Sequence, residues 1–576
     1  VSAGGDVRAV VRVQAREPVI RGLRLGVVVA LMLVGASVDA IDLWRPIDGT
    51  SRELYRECDE GGIARNFARD GMRLLSPQID WRGDGPGYVE MEFPLYPYMI
   101  AAGYRVFGIH EQIGRVISYG LALATLLIFI GLASYLLPPP GAIVASLFFA
   151  LDPLTVRIAN GIQAEPLMMF AYVAAVYAYI RWLDDDRWLS YGLAIACTSL
   201  AILAKAPAAH LGFVFVFFTL WRQGIRAFQR RRLWILALAA LIPPDLWYTR
   251  AREFWLTYHN SLGASNHHHF VGLATFTHLH YIAGIADLEV AFAWVGAGLL
   301  AVVLALALGP RPKYFGYGLL WYAAVFFYYL LIAGTSADPW GTYYHVVSVP
   351  PVALLIGGAA AVAAERLRGP PTIQRPIVVL GIVLAAVAVV QLAHPGAALL
   401  AIVCAAIATV AVLVWRRTAD AASTAALVVL TAFAPILAAR QDIRDVHPHR
   451  YTDWYATGRQ FAPLIPSGVT IAVSGNYCVS ASESAYNSPW YLYWTDHKGF
   501  TPCIQDHTMP VIRSLMARGA RYFIAERTAL NAQRGFEDEM RRTFPVVSET
   551  PVAVLFQLRT PLAPDSASSG GPGRYR

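Results

Sequence analysis

Apolar residues run along this chain in long blocks rather than in alternation. After residues 25–38 the blocks recur at about 116–137, 141–158, 166–182, 188–205, 208–221 and 233–248. A second series follows at about 288–309, 315–334, 346–364, 376–393, 396–415 and 421–438. A helix crossing a membrane needs about 20 apolar residues, so the pattern predicts about thirteen spans, several near the minimum length. Two stretches break it. Residues 43–115 are polar and rich in carboxylates, arginines and aromatics, with helical spacing over 62–74 (Ile63, Phe67, Leu74). A short tyrosine-rich helix is predicted over 94–107, suited to the membrane interface rather than to a span. From Arg440 the pattern changes to short strands at 470–474, 522–525 and 553–558, with helices at 452–464 and 509–518 between them. That is the pattern of a small α/β domain. The expected division is an N-terminus at 1–24, a membrane domain at 25–439 that carries the first outer loop, an α/β domain at 440–560 and a disordered Ser/Gly/Pro-rich tail at 561–576.

Charge orients these elements. Only 15% of residues are charged and 56% are hydrophobic, with a mean hydropathy of +0.45; soluble domains carry about 25% charge. The net charge is +8, but its arginines fall mostly between apolar blocks, and no basic face with a nucleic-acid module is present. Nucleic acid is therefore not an expected partner. Arg8, Arg12, Arg16, Arg21 and Arg24 precede the first block, and no small-residue cleavage site follows it, so it is expected to be retained as a span. Alternation then puts the basic segments 181–187, 222–232, 311–313, 366–375 and 416–417 on the cytoplasmic side. The 43–115 loop and the C-terminal domain come out extracytoplasmic. This is the expectation for a multi-pass protein of the cell (plasma or inner) membrane.

The five cysteines show no CxxC and no metal-ligand spacing. Cys478 and Cys503 fall in the outer domain, where they can pair or remain thiols; sequence alone does not bring them together. Histidines gather at 259–280 (His259, His267, His268, His269, His278, His280). No cysteine assists them, three consecutive side chains cannot converge, and no metal is expected. No internal repeat is visible, which weighs against a secondary transporter.

Several polar residues could carry chemistry. Asp59 and Glu60 are adjacent carboxylates, either a general base beside a cavity or a solvated helix start. Arg65 and Arg69 lie one helical turn apart and could grip an anion or pair with nearby acids. Glu90 and Glu92 flank Met91 ahead of Tyr96 and could orient a sugar or face water. Glu165 opens an apolar block after RIANGIQA, and Asp152 lies deeper, beside Pro153. Lys205 ends another block, where it either snorkels or meets a phosphate. Tyr344 and His345 sit in the aromatic run WGTYYH, placed for headgroup or sugar contact or simply for the interface.

Taken together, the acid pair, IARNF, EFPLYPY, the Phe107–Gly108 turn with Arg115, IQAEP, LAKAP, YYH and the outer-domain run YWTDHKGF resemble the GT-C superfamily of membrane glycosyltransferases. The resemblance is strongest to the clan of protein O-mannosyltransferases and aminoarabinose transferases. It implies a GT-C fold and a polyprenyl-phosphate-linked sugar donor. It also implies inversion at the anomeric carbon, no cofactor and no metal. Asp59 would stand where the family has its catalytic acid, taking the proton of an extracytoplasmic acceptor: a glycolipid, an envelope polysaccharide or a protein. Arg65, Arg69 and Lys205 would meet the donor phosphate. Glu165 would favour an oxocarbenium-like transition state, and Glu90, Glu92, Tyr96, Tyr344 and His345 would contact substrate. Gly61–Gly62 directly after the acids departs from the family pattern, leaving Asp59 and Glu60 as rivals for the base. The alternative is a transporter or flippase of a lipid-linked sugar without transferase activity.

Overall fold

The computed structural model describes residues 23–40, 42–49, 53–263, 271–272, 274–309, 312–367, 420–445, 452–476, 478 and 488–558. They fall into two compact units. The first comprises Val1–Trp44, Gly114–Tyr248 and Ser265–His447. Among its described residues, five helices are long and apolar enough to cross a membrane: Gln112–Leu136, Glu165–Asp185, Lys313–Leu331, Pro339–Leu367 and Ser423–Arg440. Two bent pairs raise the number to seven, and α1 (Leu25–Asp39) and Trp188–Ala204 are shorter apolar helices. The chain is a multi-pass membrane protein. The blocks at 376–393 and 396–415 and the tail at 561–576 lie outside the described residues.

Both bent pairs have local causes. The block expected as one span at 141–158 is two helices, Pro139–Leu151 and Pro153–Asn160, bent by 50°. Pro153 has no N–H to continue the helix, and the Asp152 carboxylate caps the second piece by accepting from Leu154 N at 2.9 Å. Asp152 thus has a structural partner. In the other pair, Leu279–Ala293 meets Ala297–Ala307 at 97°, where the chain passes through a π-turn at Glu289–Ala293 and positive φ at Val295 and Gly296. Pro339–Leu367 is buried along its whole apolar window. Its Gly357 and Gly141 of the Pro139–Leu151 helix approach each other reciprocally. A Cβ on either would lie 2.5–2.6 Å from the other's carbonyl oxygen. Small residues let membrane helices approach this closely.

The second unit comprises Arg45–Ile113, Thr249–Ala264 and Pro448–Arg576. The polar first loop, grouped above with the membrane domain, therefore clusters with the C-terminal residues. Strands β1 (Thr470–Val473), β2 (Lys498–Phe500), β3 (Tyr522–Glu526), β4 (Val546–Glu549) and β5 (Ala553–Gln557) form one sheet in the order β2-β1-β3-β5-β4. The first three are parallel and the last two antiparallel to their neighbours. One face packs Phe500, Ile512, Phe523, Phe536 and Phe556 into a core, and Cys478 and Cys503 are joined in a disulfide. The first loop adds to the β2 edge: Gly499 N donates to Asp80 O at 2.9 Å, and Gly83 N donates to Gly499 O at 2.8 Å. Its helices are α2 (Leu54–Asp70) and α3 (Leu95–Phe107). α3 matches the expectation; α2 begins eight residues earlier than the apolar spacing suggested and ends on Gly71 at φ +112°. Asp59 and Glu60 consequently lie inside a helix.

Candidate active site

α2 reads LYRECDEGGIARNFARD, polar on every side, yet Glu57 through Phe67 is buried without a break. A helix of this composition is stable only when each enclosed polar group finds a partner. The partners come from distant sequence. Asp80 accepts from Arg65 at 3.1 Å and from Asn66 at 3.0 Å. Arg65 also donates to Tyr493 O at 3.0 Å, lies 3.3 Å from Asp496 and stacks 4.0 Å over the Tyr493 ring. Burial works against its charge, but Asp80, Tyr493 and Asp496 outweigh burial and hold the guanidinium more firmly protonated than usual. Arg69 forms two bonds to Asp496, at 2.8 and 2.7 Å.

The Gly61–Gly62 pair has a packing reason. A Cβ on Gly61 would lie 2.8 Å from the Tyr493 ring, and one on Gly62 would lie 2.7 Å from the Asp80 carboxylate. Each glycine costs the helix about 1 kcal/mol relative to alanine, which the closer approach of Tyr493 and Asp80 offsets.

Asp59 is 4% exposed. Its Oδ1 accepts from the indole N–H of Trp81 at 2.9 Å, and its Oδ2 has no hydrogen-bond partner among the described residues. Burial pushes its carboxyl up to about 8, against the Trp81 bond and the charge of Arg56, with Asp80 and Glu92 adding to the rise. Asp59 thus holds a proton more tightly than an ordinary carboxylate, in a dry setting with one oxygen fixed by Trp81. Glu60, its neighbour, is 1% exposed. Glu92 pairs with Arg56 at 3.7 Å. Glu90 accepts from Ser261 Oγ at 2.5 Å, while its backbone bonds Asn260 and Leu262. Tyr96 is fully enclosed.

A second polar group lies within the membrane unit. Lys205 forms an ion pair with Glu165 Oε1, both nearly inaccessible to solvent. The ammonium sits 4.8 Å from the Tyr343 ring and 5.4 Å from the Tyr344 ring. Glu165 Oε2 has no hydrogen-bond partner among the described residues. The adjoining cavity, lined by His210, Tyr328, Tyr343 and Tyr344, holds about 20 Å³, room for one water.

Three residues expected to contact substrate have protein partners in this structure. His345 is fully buried between Glu289 Oε1 (2.5 Å from Nδ1) and Ser336 O (2.9 Å from Nε2), and Ser348 Oγ also donates to Glu289. It anchors the turn that presents Tyr343 and Tyr344. Arg65 and Arg69, expected at the donor phosphate, spend their charge on Asp80 and Asp496 because the buried α2 needs those ties. Sequence reasoning passed over Trp81, Asp80 and Glu289, and met Tyr493 only as the first residue of the YWTDHKGF run. A lone Asp-Trp pair in a polar loop was the only available signal for the first two. Among the described residues no cluster of histidine, cysteine and carboxylate could hold a metal, and His267–His269 lie outside them.

Comparison with known proteins adds the frame. The profile of the family described as dolichyl-phosphate-mannose-protein mannosyltransferase matches residues 86–247. That stretch includes Glu90, Glu92, Glu165 and Lys205 but begins after Asp59. ArnT from Cupriavidus metallidurans bound to undecaprenyl phosphate aligns over 95% of this chain and 99% of its own, at 15% identity and a TM-score of 0.55. Its apo state aligns over 93% and 98%, at 16% identity and 0.56. The chain has the GT-C fold. The oligosaccharyltransferase of Archaeoglobus fulgidus in its apo form is also similar, at 13% identity and a TM-score of 0.49, over 87% of this chain and 69% of that one. No curated protein matches in sequence. At these identities the GT-C likeness is one of fold, and the chemistry rests on the residues.

Proposed function

We propose that this protein is an inverting glycosyltransferase. It would move a sugar from a polyprenyl-phosphate-linked donor to an acceptor on the extracytoplasmic side, with Asp59 as general base. The observation that carries the reading is the Asp59 carboxylate, buried in a GT-C fold with one oxygen held by Trp81 and the other without a partner among the described residues. The acceptor hydroxyl attacks the anomeric carbon and its proton passes to Asp59 Oδ2. The bond from that carbon to the phosphate oxygen breaks, and polyprenyl phosphate leaves with one more negative charge. A base whose pKa lies near the working pH is well matched to this step. The indole bond from Trp81 that fixes the Asp59 carboxylate favours it over Glu60.

The leaving phosphate needs a cation rather than an acid, and Lys205 is the candidate. Glu165 compensates its charge in this structure, as a buried ammonium without a partner would be costly. Donor phosphate would take over that role, and Tyr344 would line its path. Arg65 and Arg69 hold α2 in place, with Glu90, Glu92 and Tyr96 shaping its surroundings. The extracytoplasmic assignment rests on the distribution of arginines between the apolar blocks.

The test is sugar transfer from synthetic polyprenyl-phosphate donors in liposomes, comparing wild type with Asp59→Asn, Glu60→Gln and Glu165→Gln. Loss in Asp59→Asn with survival in Glu60→Gln is expected. Full activity in Asp59→Asn removes the base assignment. Passage of intact donor across the bilayer without transfer by the wild type would identify a flippase instead.

A further inference from the structure

A polar cleft of about 450 Å³ opens in the loop-and-sheet unit, far roomier than the 20 Å³ beside Lys205. Its walls are the 82–85 turn of the first loop, the 467–470 segment leading into β1, and residues 496–498 at the start of β2. Most of its charges are already matched. Arg69 is doubly bonded to Asp496, Lys498 lies 3.4 Å from Asp70, and Asp84 accepts from Arg518 at 2.7 Å. His497 is pinned below, its ring nitrogens facing Thr495 O and Pro466 O at 2.5 and 2.9 Å.

Arg82 is the exception. It makes one hydrogen bond, to Pro86 O at 3.3 Å, and no ion pair among the described residues. Its position is nonetheless built. The side-chain stem lies across Gly87, where a Cβ would come within 2.7 Å of the arginine Cδ, and φ of +83° there favours glycine independently. The guanidinium is thus held against a backbone oxygen with its remaining donors available to the cleft. A guanidinium presents planar paired donors that match a carboxylate or phosphate. The paired acids Asp84 and Asp496 keep lone pairs suited to hydroxyl groups, and the volume lies in the range of small-molecule sites.

We infer that this cleft binds an anionic saccharide unit of the acceptor, with Arg82 taking its carboxylate or phosphate group. The inference rests on the reading of the protein as a sugar transferase and names the class of acceptor that reading leaves open. It concerns Arg82, a residue outside the proposed base and phosphate machinery.

The test is saturation-transfer NMR on full-length protein in detergent, without donor lipid. The probes are glucuronic acid and glucose 1-phosphate, glucose as the uncharged sugar, and inorganic phosphate as a competitor lacking a ring. Saturation of the two anionic sugars is expected in wild type and in Asp59→Asn. The signal should be lost in Arg82→Gln and partly retained in Arg82→Lys, with unchanged melting temperatures reporting intact folding. Equal signals in wild type and Arg82→Gln, or glucose saturated as strongly as glucuronic acid, would overturn the inference. So would phosphate that binds while neither anionic sugar does, since that describes a plain anion site. Binding is read without turnover, so a cleft that binds in a protein that transfers nothing leaves the cleft and removes the transferase. Transfer without Arg82-dependent binding does the reverse.

Discussion

Replacing Asp59 by asparagine should stabilise the protein, increasingly so as pH rises. The carboxyl keeps its proton up to about pH 8 in the folded chain and loses it near 3.8 when unfolded. Between those values the folded state binds one more proton than the unfolded state, so the aspartate's effect on stability worsens with rising pH. At pH 7 the proton is held about 3 pH units above the unfolded value, a penalty of about 4 kcal/mol. At pH 4 it vanishes, and above pH 8 it levels off at about 6 kcal/mol. Asparagine matches the protonated acid closely. Its carbonyl can accept from Trp81 and its amide presents a donor where the acid presented its hydroxyl, so the comparison isolates charge. The assay is the thermal unfolding midpoint in detergent from pH 4 to pH 9 for both proteins. The midpoints should coincide near pH 4 and separate toward pH 8, with the asparagine variant higher. A constant gap across that range, or an asparagine variant less stable throughout, would refute the buried-acid argument. Stabilisation together with lost transfer would mark a site kept for chemistry against the interest of the fold.

Transfer by the wild type should rise with pH to a plateau, with its half-point near 8 in kcat/KM, because only the ionised Asp59 can take the acceptor's proton; a profile flat from pH 6 to pH 9 argues for another base. Glu165→Gln should lower the unfolding midpoint by an amount equivalent to about 3–5 kcal/mol, since it leaves Lys205 buried without its partner. Adding Lys205→Met should recover most of that loss while abolishing transfer, and recovery of transfer as well would remove Lys205 from donor binding. His507 is buried beside Phe523 and Phe536, and burial brings it down to about 4. The unfolded imidazole takes up a proton from about pH 6.5 downward, so stability should fall by about 3 kcal/mol as pH drops from 6.5 to 4. His507→Phe should blunt that fall, as read by melting curves at both pH values.

Much of the membrane unit was legible because a span declares itself within its own 20 residues. The blocks near 116–137, 166–182 and 315–334 became helices within a few positions, and α3 appeared where its tyrosines suggested. The break at Asp152–Pro153 was written locally too, but a continuous apolar run hid it. α2 was harder. Its apolar residues are too few to mark its start, since what buries it is pairing with Asp80, Tyr493 and Asp496 rather than a greasy face. β2, three residues long, has no pattern to detect; it exists because Gly499 can press against Ile471, where a Cβ would fall 1.8 Å from the carbonyl oxygen. Long-range polar pairing leaves no periodicity, so Trp81 could not be matched to Asp59, nor Glu289 to His345.

The ties between the first loop and the C-terminal residues also set a timetable for the chain. Arg65 meets Tyr493 O across 428 positions, and Arg518 meets Asp84 across 434. At about 5–20 residues per second, a ribosome needs roughly 20–90 s to travel between such partners. Through that interval Arg65 has Asp80 but not Tyr493, and Arg69 lacks Asp496, while the apolar helices that follow are already being synthesised. Asp59 and Trp81 are 22 positions apart and can meet long before then, so a chain truncated before Tyr493 would lack the C-terminal partners of Arg65 rather than the indole bond of Asp59.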